Sequence, residues 1–229
     1  EGWNMPTALK DEDKAIQANN SKMPLIAHFN DIFRDKIKGK SSEYDSMIKG
    51  FATGNVFDIY DVQDALMANC VDNIHAKVYQ HPFQSINYVE CHDNQTCYDK
   101  ICDCCQEESD EIKIKRQKLM IGMLMVAQGV PFLQCGQEFC RTKNGLHNTY
   151  RSADQINQID WLRRCRFADT VDYTKACIQL RKRNPVFKMK SSEEILHHVS
   201  FEVHENEILI YKLQNIEEYC DYHEIWVLF

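Results

Sequence analysis

The sequence is poor in the residues that punctuate a chain. It has 8 glycines and 5 prolines in 229 residues. No Ser/Gly/Pro-rich stretch marks a linker, so element breaks are read from periodicity. Internal repeats are absent, which excludes solenoids and propellers. The longest apolar run covers residues 119–127, far short of the roughly 20 residues that a membrane helix needs, and no membrane partner is expected. Positive charge is also scarce: 27 Lys and Arg stand against 34 Asp and Glu, a formal net charge of −7. Phosphate binding needs a clustered basic surface, so no nucleic-acid partner is expected and a neutral, polar substrate fits better. No signal peptide is visible. The chain opens on Glu1 rather than methionine and stops at Phe229 inside the apolar run 225–229, so both ends are expected to be cut.

What is present describes a globular protein, with 44% hydrophobic and 27% charged residues. The length suits one large domain, or one and a half ordinary ones. Cysteines number 11, an odd count in a chain too large for a disulfide framework. Cys91, Cys135 and Cys177 lie in apolar stretches, where a free cysteine acts as a small buried hydrophobe. Free thiols in a reducing cytoplasm are therefore expected. Cys102, Cys104 and Cys105 cluster near Cys97, but no second pair at zinc-site spacing accompanies them, so no metal and no cofactor is expected.

Periodicity predicts a polar helix over 11–20, a buried strand over 25–29, and helices over 32–38 and 61–71 separated by a loop. A strand buried on both faces is expected over 86–89. The segment 111–128 is apolar on every side, as in a helix buried against a sheet; its basic residues 113–118 read as solvated first turns. A short strand over 132–135 and an amphipathic helix over 170–183, stopped before Pro185, complete an α/β pattern. Near residue 190 the pattern changes. Val199, Phe201 and Val203 alternate with polar residues, with His197 and His198 opening that strand. Residues 204–207 suit a hairpin connection and 208–213 a second strand. Two architectures with a boundary around 188–195 are implied.

Polar residues gather where the predicted parallel strands end: His92-Asp93-Asn94 after 86–89, and Gln137-Glu138 after 132–135. In a (β/α) barrel, such strand ends carry the active site. Asp and Asn also favour simple turns, so the triplet admits both readings. Glu1-Gly2-Trp3 on its own carries no signal.

Five strings add to this: EGWNMPTAL from Glu1, MPLIAHFNDIFRDKIKG from Met23, INYVECHDNQTCYDK from Ile86, AQGVPFLQCGQEFCRTKNG from Ala127 and NTYRSADQINQIDW from Asn148. In this order and spacing the chain resembles type I pullulanases of the α-amylase superfamily along nearly its whole length. The resemblance implies a partial (β/α)8 barrel, strands six to eight with their helices, over residues 1–190. The start of an antiparallel β-sandwich follows over 191–229. It implies a retaining glycoside hydrolase acting on α-1,6 branch bonds of a branched α-glucan, without a cofactor. Glu1 falls on the general acid/base, Asp93 on the strand-seven aspartate, and His92 beside it on a sugar binder, with Asn94 completing the triplet. The nucleophile falls upstream of Glu1, so the chain alone is expected to be inactive. Trp3 offers an apolar face either to a glucose ring or to the adjacent strand, and Tyr150 and Arg151 are outer-subsite contacts. Gln95 replaces a histidine often found after the triplet, and Cys97-Tyr98 replaces an apolar-aromatic pair. An isoamylase-type or α-1,4-acting enzyme, or an inactive glucan-binding protein, remains an alternative.

Overall fold

In the computed structural model, which describes residues 8–229, three short strands form a parallel sheet. They are β1 (His28–Asn30), β2 (Ser85–Asn87) and β3 (Val130–Pro131), with β2 in the centre. Between them run α1 (Asp31–Ile37), α2 (Ile59–Leu66), α3 (Cys97–Cys104) and α4 (Asp110–Val126). Beyond β3 come the short α5 (Asp154–Asn157) and α6 (Trp161–Arg166), then α7 (Ala168–Arg183) and α8 (Ser192–His198). The chain then forms an antiparallel sheet of β4 (Val199–His204), β5 (Ile208–Gln214) and β6 (Glu224–Leu228). Glu1 and Trp3, expected to be functional, lie outside the described residues.

Local chemistry sets several boundaries. Asn30 ends β1 and caps α1, its side chain accepting from the Phe33 amide at 3.1 Å. Ser109 caps α4, whose first turn carries Asp110 and Glu111 against the positive end of the helix dipole. The last turns of α4 are buried from Met123 to Val126. The carbonyls that follow meet Arg181, which donates to Met125 O at 3.0 Å and to Ala127 O and Gly129 O at 2.6 Å. Gly129 has φ +90, and a Cβ there would stand 3.0 Å from the Ser85 carbonyl, so only glycine fits this approach to β2.

The parallel strands differ from expectation. Leu25 is 86% exposed and pairing starts only at His28, opposite Ser85. The strand expected over 132–135 sits earlier, at Val130–Pro131, and the ladder closes with the Phe132 amide donating to Asn87 O at 2.8 Å. Proline lacks an amide donor, so at Pro131 the ladder bond passes to the next residue, Phe132. The sheet is not apolar on both faces either. Asn30, Ser85 and Asn87 share one face by register and form a buried network. The Asn30 amide donates to Asn69 Oδ1 and Ser85 Oγ, both at 2.8 Å, and Asn87 donates to Gln128 O at 2.6 Å. Buried polar groups persist because they are paired in this way. On the opposite face Ile86 is half-buried.

The helix expected over 11–20 is replaced by 3-10 turns at Asp11–Asp13 and Gln17–Lys22. There Asn19 donates to Asp11 O at 2.6 Å and Asn20 to Val78 O at 2.7 Å, bonds that compete with helical pairing. His197 and His198 end α8, whose N-terminus Ser191 caps, rather than opening a strand. The expected hairpin connection is present, with Glu205 and Asn206 both at positive φ.

Leu209, Tyr211 and Leu213 on β5 are fully buried and belong to the same hydrophobic cluster as Met120, Leu124, Val186 and Phe187. Gln128 ties the layers together. Its amide donates to Val186 O at 2.8 Å and Tyr211 OH at 3.1 Å, its side-chain oxygen accepts from Met189 N at 3.0 Å, and its backbone amide donates to Leu66 O at 2.8 Å.

The cysteines depart from expectation in burial. Cys135 and Cys165 are exposed, and Cys91 and Cys177 are half-buried, whereas Cys70, Cys97, Cys104, Cys105 and Cys140 are buried. The apolar neighbours of Cys135 in sequence lie on a loop past the end of β3, so it gains no cover from them. No disulfide forms among the described residues, and among them no group of His, Cys, Asp and Glu is placed to hold a metal. No described helix is long and apolar enough to cross a membrane.

Candidate functional site

The site grows from the carboxyl end of β2, the central parallel strand. Tyr88, next in the chain, is buried and packs edge-on against Phe29 at 4.9 Å. Its hydroxyl donates to Asp31 and accepts from Arg34, both at 2.5 Å. Burial pushes the phenol far above its ordinary range, so it stays a neutral anchor. Val89 and Glu90 continue inward, and then the chain turns out to solvent.

His92, Asp93 and Asn94 form that turn. The His92 side chain is 75% exposed and that of Asp93 47%, and His92 Nε2 stands 3.4 Å from Asp93 Oδ1. Asn94 takes φ 60, a left-handed conformation that asparagine tolerates better than most residues. The triplet is thus a turn by backbone and, at the same time, an exposed cluster of one anion and two hydrogen-bonding groups. The turn expected of these residues is present.

The turn is braced from three sides. Gln95, buried, donates to Asp103 and to Gly145 O at 3.2 Å. Lys143 donates to His92 O at 2.7 Å. Below the turn, Glu90 Oε2 accepts from the Cys97 amide at 2.8 Å, and the Cys97 thiol donates to Val89 O at 3.4 Å. Thr96 caps α3 by accepting from Asp99 N at 3.1 Å. Asp99 accepts from Thr142 Oγ1 at 2.5 Å and Lys143 N at 2.7 Å. So α3 holds the loop after β3, and that loop holds His92.

This frame and its surroundings hold buried ionisable groups, Glu90, Lys38 and Lys143 among them. Desolvation pushes the Glu90 carboxyl up to about 7, against the opposing pull of the Cys97 amide, Lys38 and Arg141. Burial likewise lowers Lys38 and Lys143 from the usual lysine range. Neither Glu90 nor Lys143 stands out in the sequence. The one available signal for each is adjacency to a matched string, YVECHDN for Glu90 and RTKNG for Lys143.

The other candidates lie apart. Tyr150 is 74% exposed, and the Arg151 guanidinium sits 5.2 Å from its ring centre. Among the described residues no hydrogen bond or ion pair links this pair to His92 or Asp93. Gln137 is fully buried, and Glu138 accepts from the Gly136 amide at 2.9 Å; this pair shapes the chain after β3. Lys100, in α3, donates to Lys40 O at 2.9 Å, to Ile48 O at 2.8 Å and to Ser46 O, a structural clamp on the loop after α1.

No protein-family profile matches the sequence. The pullulanase of Bacillus subtilis (strain 168) is 40% identical over 228 residues, which is 100% of this chain and 32% of that protein. The crystal structure of pullulanase type I from the same organism, complexed with maltose, superposes with a TM-score of 0.94 at 39% identity, again over 100% of this chain and 32% of the other. That of the pullulanase from Anoxybacillus sp. LM18-11, complexed with maltotriose, gives 0.93 at 37% identity, with 100% and 32% covered. This chain therefore spans about a third of the length of these relatives. By sequence from end to end and by fold, it is homologous to a segment of the type I pullulanase chain.

Proposed function

We propose that this chain supplies the carboxyl-terminal part of the catalytic unit of a debranching glycoside hydrolase, one that cleaves α-1,6 bonds of pullulan, limit dextrins or glycogen-like glucans. Residues 1–190 would form strands six to eight of a (β/α)8 barrel with their helices, with β1, β2 and β3 as those strands. Residues 191–229 would open a β-sandwich. The observation that carries the reading is the exposed His92–Asp93 pair at the carboxyl end of the central parallel strand, where barrel active sites are built, in a chain matched throughout by pullulanases. Structures of such relatives are described as complexed with maltose and maltotriose, which supports an α-glucan ligand.

In this reading Glu1 is the acid/base. It protonates the leaving oxygen and then activates water, opposite a nucleophile carboxylate about 5–5.5 Å away that lies upstream of Glu1. Asp93 remains an anion and accepts from sugar hydroxyls. Those bonds shorten as the ring flattens toward an oxocarbenium ion, so they favour the transition state over bound substrate. His92 and Asn94 hydrogen-bond the same sugar. Trp3, Tyr150 and Arg151 line the path of the chain beyond it. A reducing, cytoplasmic setting is part of this reading, supported by the odd number of cysteines, 11, in a chain of this length.

The test replaces the matching third of the B. subtilis pullulanase with this chain and measures reducing ends released from pullulan and from amylose. Cleavage of pullulan in preference to amylose is expected, with none by the 229-residue chain alone. A folded chimera that leaves pullulan intact, or that prefers amylose, overturns the reading.

A further inference from the structure

Glu90 does no chemistry in the mechanism above, yet it is the most conspicuous buried carboxyl near the turn. It is 2% exposed, and among the described residues only one of its two oxygens is satisfied: Oε2 accepts from Cys97 N at 2.8 Å, while Oε1 finds no partner there. A half-satisfied buried carboxyl is costly, and a site whose only task was packing would be better served by an apolar side chain. Its position explains its presence. Residues 90 and 97 are the two ends of the loop that carries His92, Asp93 and Asn94, and the Glu90–Cys97 bond joins them. The Cys97 amide is the first of α3, so the carboxylate also meets the positive end of that helix.

We propose that Glu90 is a positioning residue for the His92–Asp93–Asn94 turn: its carboxyl closes the neck of the 91–96 loop and fixes where the exposed His92 and Asp93 side chains stand. The groups that face it come from every neighbouring element. Lys38 approaches from the end of α1, Cys97 and Asp99 from α3, and Cys140, Arg141 and Lys143 from the loop after β3. Lys143 is also the residue that grips the His92 carbonyl. Glu90 therefore bears on the turn twice, through the neck and through its field on Lys143. Because burial holds its proton until near neutral pH, the turn changes its electrostatic surroundings in that range.

The kinetic arm of the test rests on the debranching reading; the other two arms do not. In the full chain, Glu90→Leu removes the acceptor at similar volume. Amide exchange over 91–97 is expected to speed at least tenfold, with β4 and β5 unchanged. Glu90→Gln keeps an acceptor for Cys97 N and should restore most of that protection. It should also abolish an inflection near pH 7 that the parent shows in the Cys97 amide shift, which reports the Glu90 carboxyl directly. In the chimera, Glu90→Leu should lower kcat on pullulan at least tenfold with KM within about twofold. Exchange and kcat within twofold of the parent, or faster exchange spread evenly over the chain, would overturn the proposal, as would an unchanged Cys97 amide inflection in Glu90→Gln. An inactive parent chimera would instead count against the functional reading, leaving exchange and titration to decide on Glu90.

Discussion

The Lys143 ammonium lies 2.7 Å from the backbone carbonyl of His92 and donates to it. Residues 51 positions apart in sequence are thereby joined, and the loop after β3 becomes part of the turn after β2. Lys143 is 3% exposed, so this charged donor is bound out of contact with water. A hydrogen bond from a charged group contributes about 1.5–3 kcal/mol. Lys143→Met should lower stability by about that much and increase amide exchange at residues 92–95. Exchange confined to other regions would show that the bond does not hold the turn.

Asp93→Asn keeps the size of the side chain and removes its charge. In the B. subtilis chimera, turnover on pullulan should fall by two or more orders of magnitude, with a smaller change in maltotriose affinity measured calorimetrically. Equal turnover in the two proteins would take Asp93 out of the site.

Arg181 satisfies three carbonyls at and beyond the end of α4, groups that no intrahelical donor can reach. Arg181→Met should cost about 3 kcal/mol in urea unfolding with little change in slope. The hydrophobic stem is kept, so the loss reports the carbonyls rather than a cavity.

The buried Glu90 carboxyl gives stability a signed pH dependence. Its pKa rises from an ordinary 4.5 to about 7 on folding, so between these values the folded state keeps a proton that the unfolded state has released. Stability from this group is therefore greatest below pH 4.5 and declines up to pH 7, by at most about 3 kcal/mol. Melts of the parent and of Glu90→Gln from pH 5 to 8 should show the mutant gaining on the parent as pH rises. Parallel profiles would refute it.

Thiol titration separates the cysteine classes. In native protein without reductant, Cys135 and Cys165 should react within minutes, and Cys97, Cys104, Cys105 and Cys140 should wait for unfolding. After denaturation without reductant all 11 should react. A deficit of two or more would reveal disulfides.

Much of the helical layer was legible because burial leaves a periodic trace. The apolar run of α4 and the amphipathic pattern of α7 lie within a few residues of where periodicity puts them. The alternation of Val199, Phe201 and Val203 locates β4, and Glu205-Asn206 its hairpin. The parallel strands were harder. Two or three paired residues leave too short a record, and the face carrying Asn30, Ser85 and Asn87 reads as polar although it is buried. The triplet at 92–94 was visible as a motif. Its supports were not, because Glu90, Lys38 and Lys143 look like ordinary surface charges until the fold removes their water. Whether a charged residue is buried depends on contacts tens of residues away, which no local pattern encodes.

Gln128 makes one residue common property of the two sheets, its side chain bound to one and its backbone to the other. Its side-chain amide reaches Tyr211 on β5 and the Val186 carbonyl, while its backbone carbonyl takes the side-chain amide of Asn87 on β2. Its carboxamide is satisfied at both ends from the carboxyl-terminal side, by Val186 O, Tyr211 OH and Met189 N, while its backbone is held by the other side, so the residue is fully paired only when both are docked. Grafting the β4–β6 segment of one pullulanase onto the parallel-sheet part of another would thus succeed or fail on whether the recipient offers this amide and the donor its tyrosine. A mismatch there would strand polar atoms in a dry seam even where every apolar contact is kept. For recombination among relatives, the safe breakpoint falls before Gln128 or after β5, not at the apparent change of architecture near residue 190.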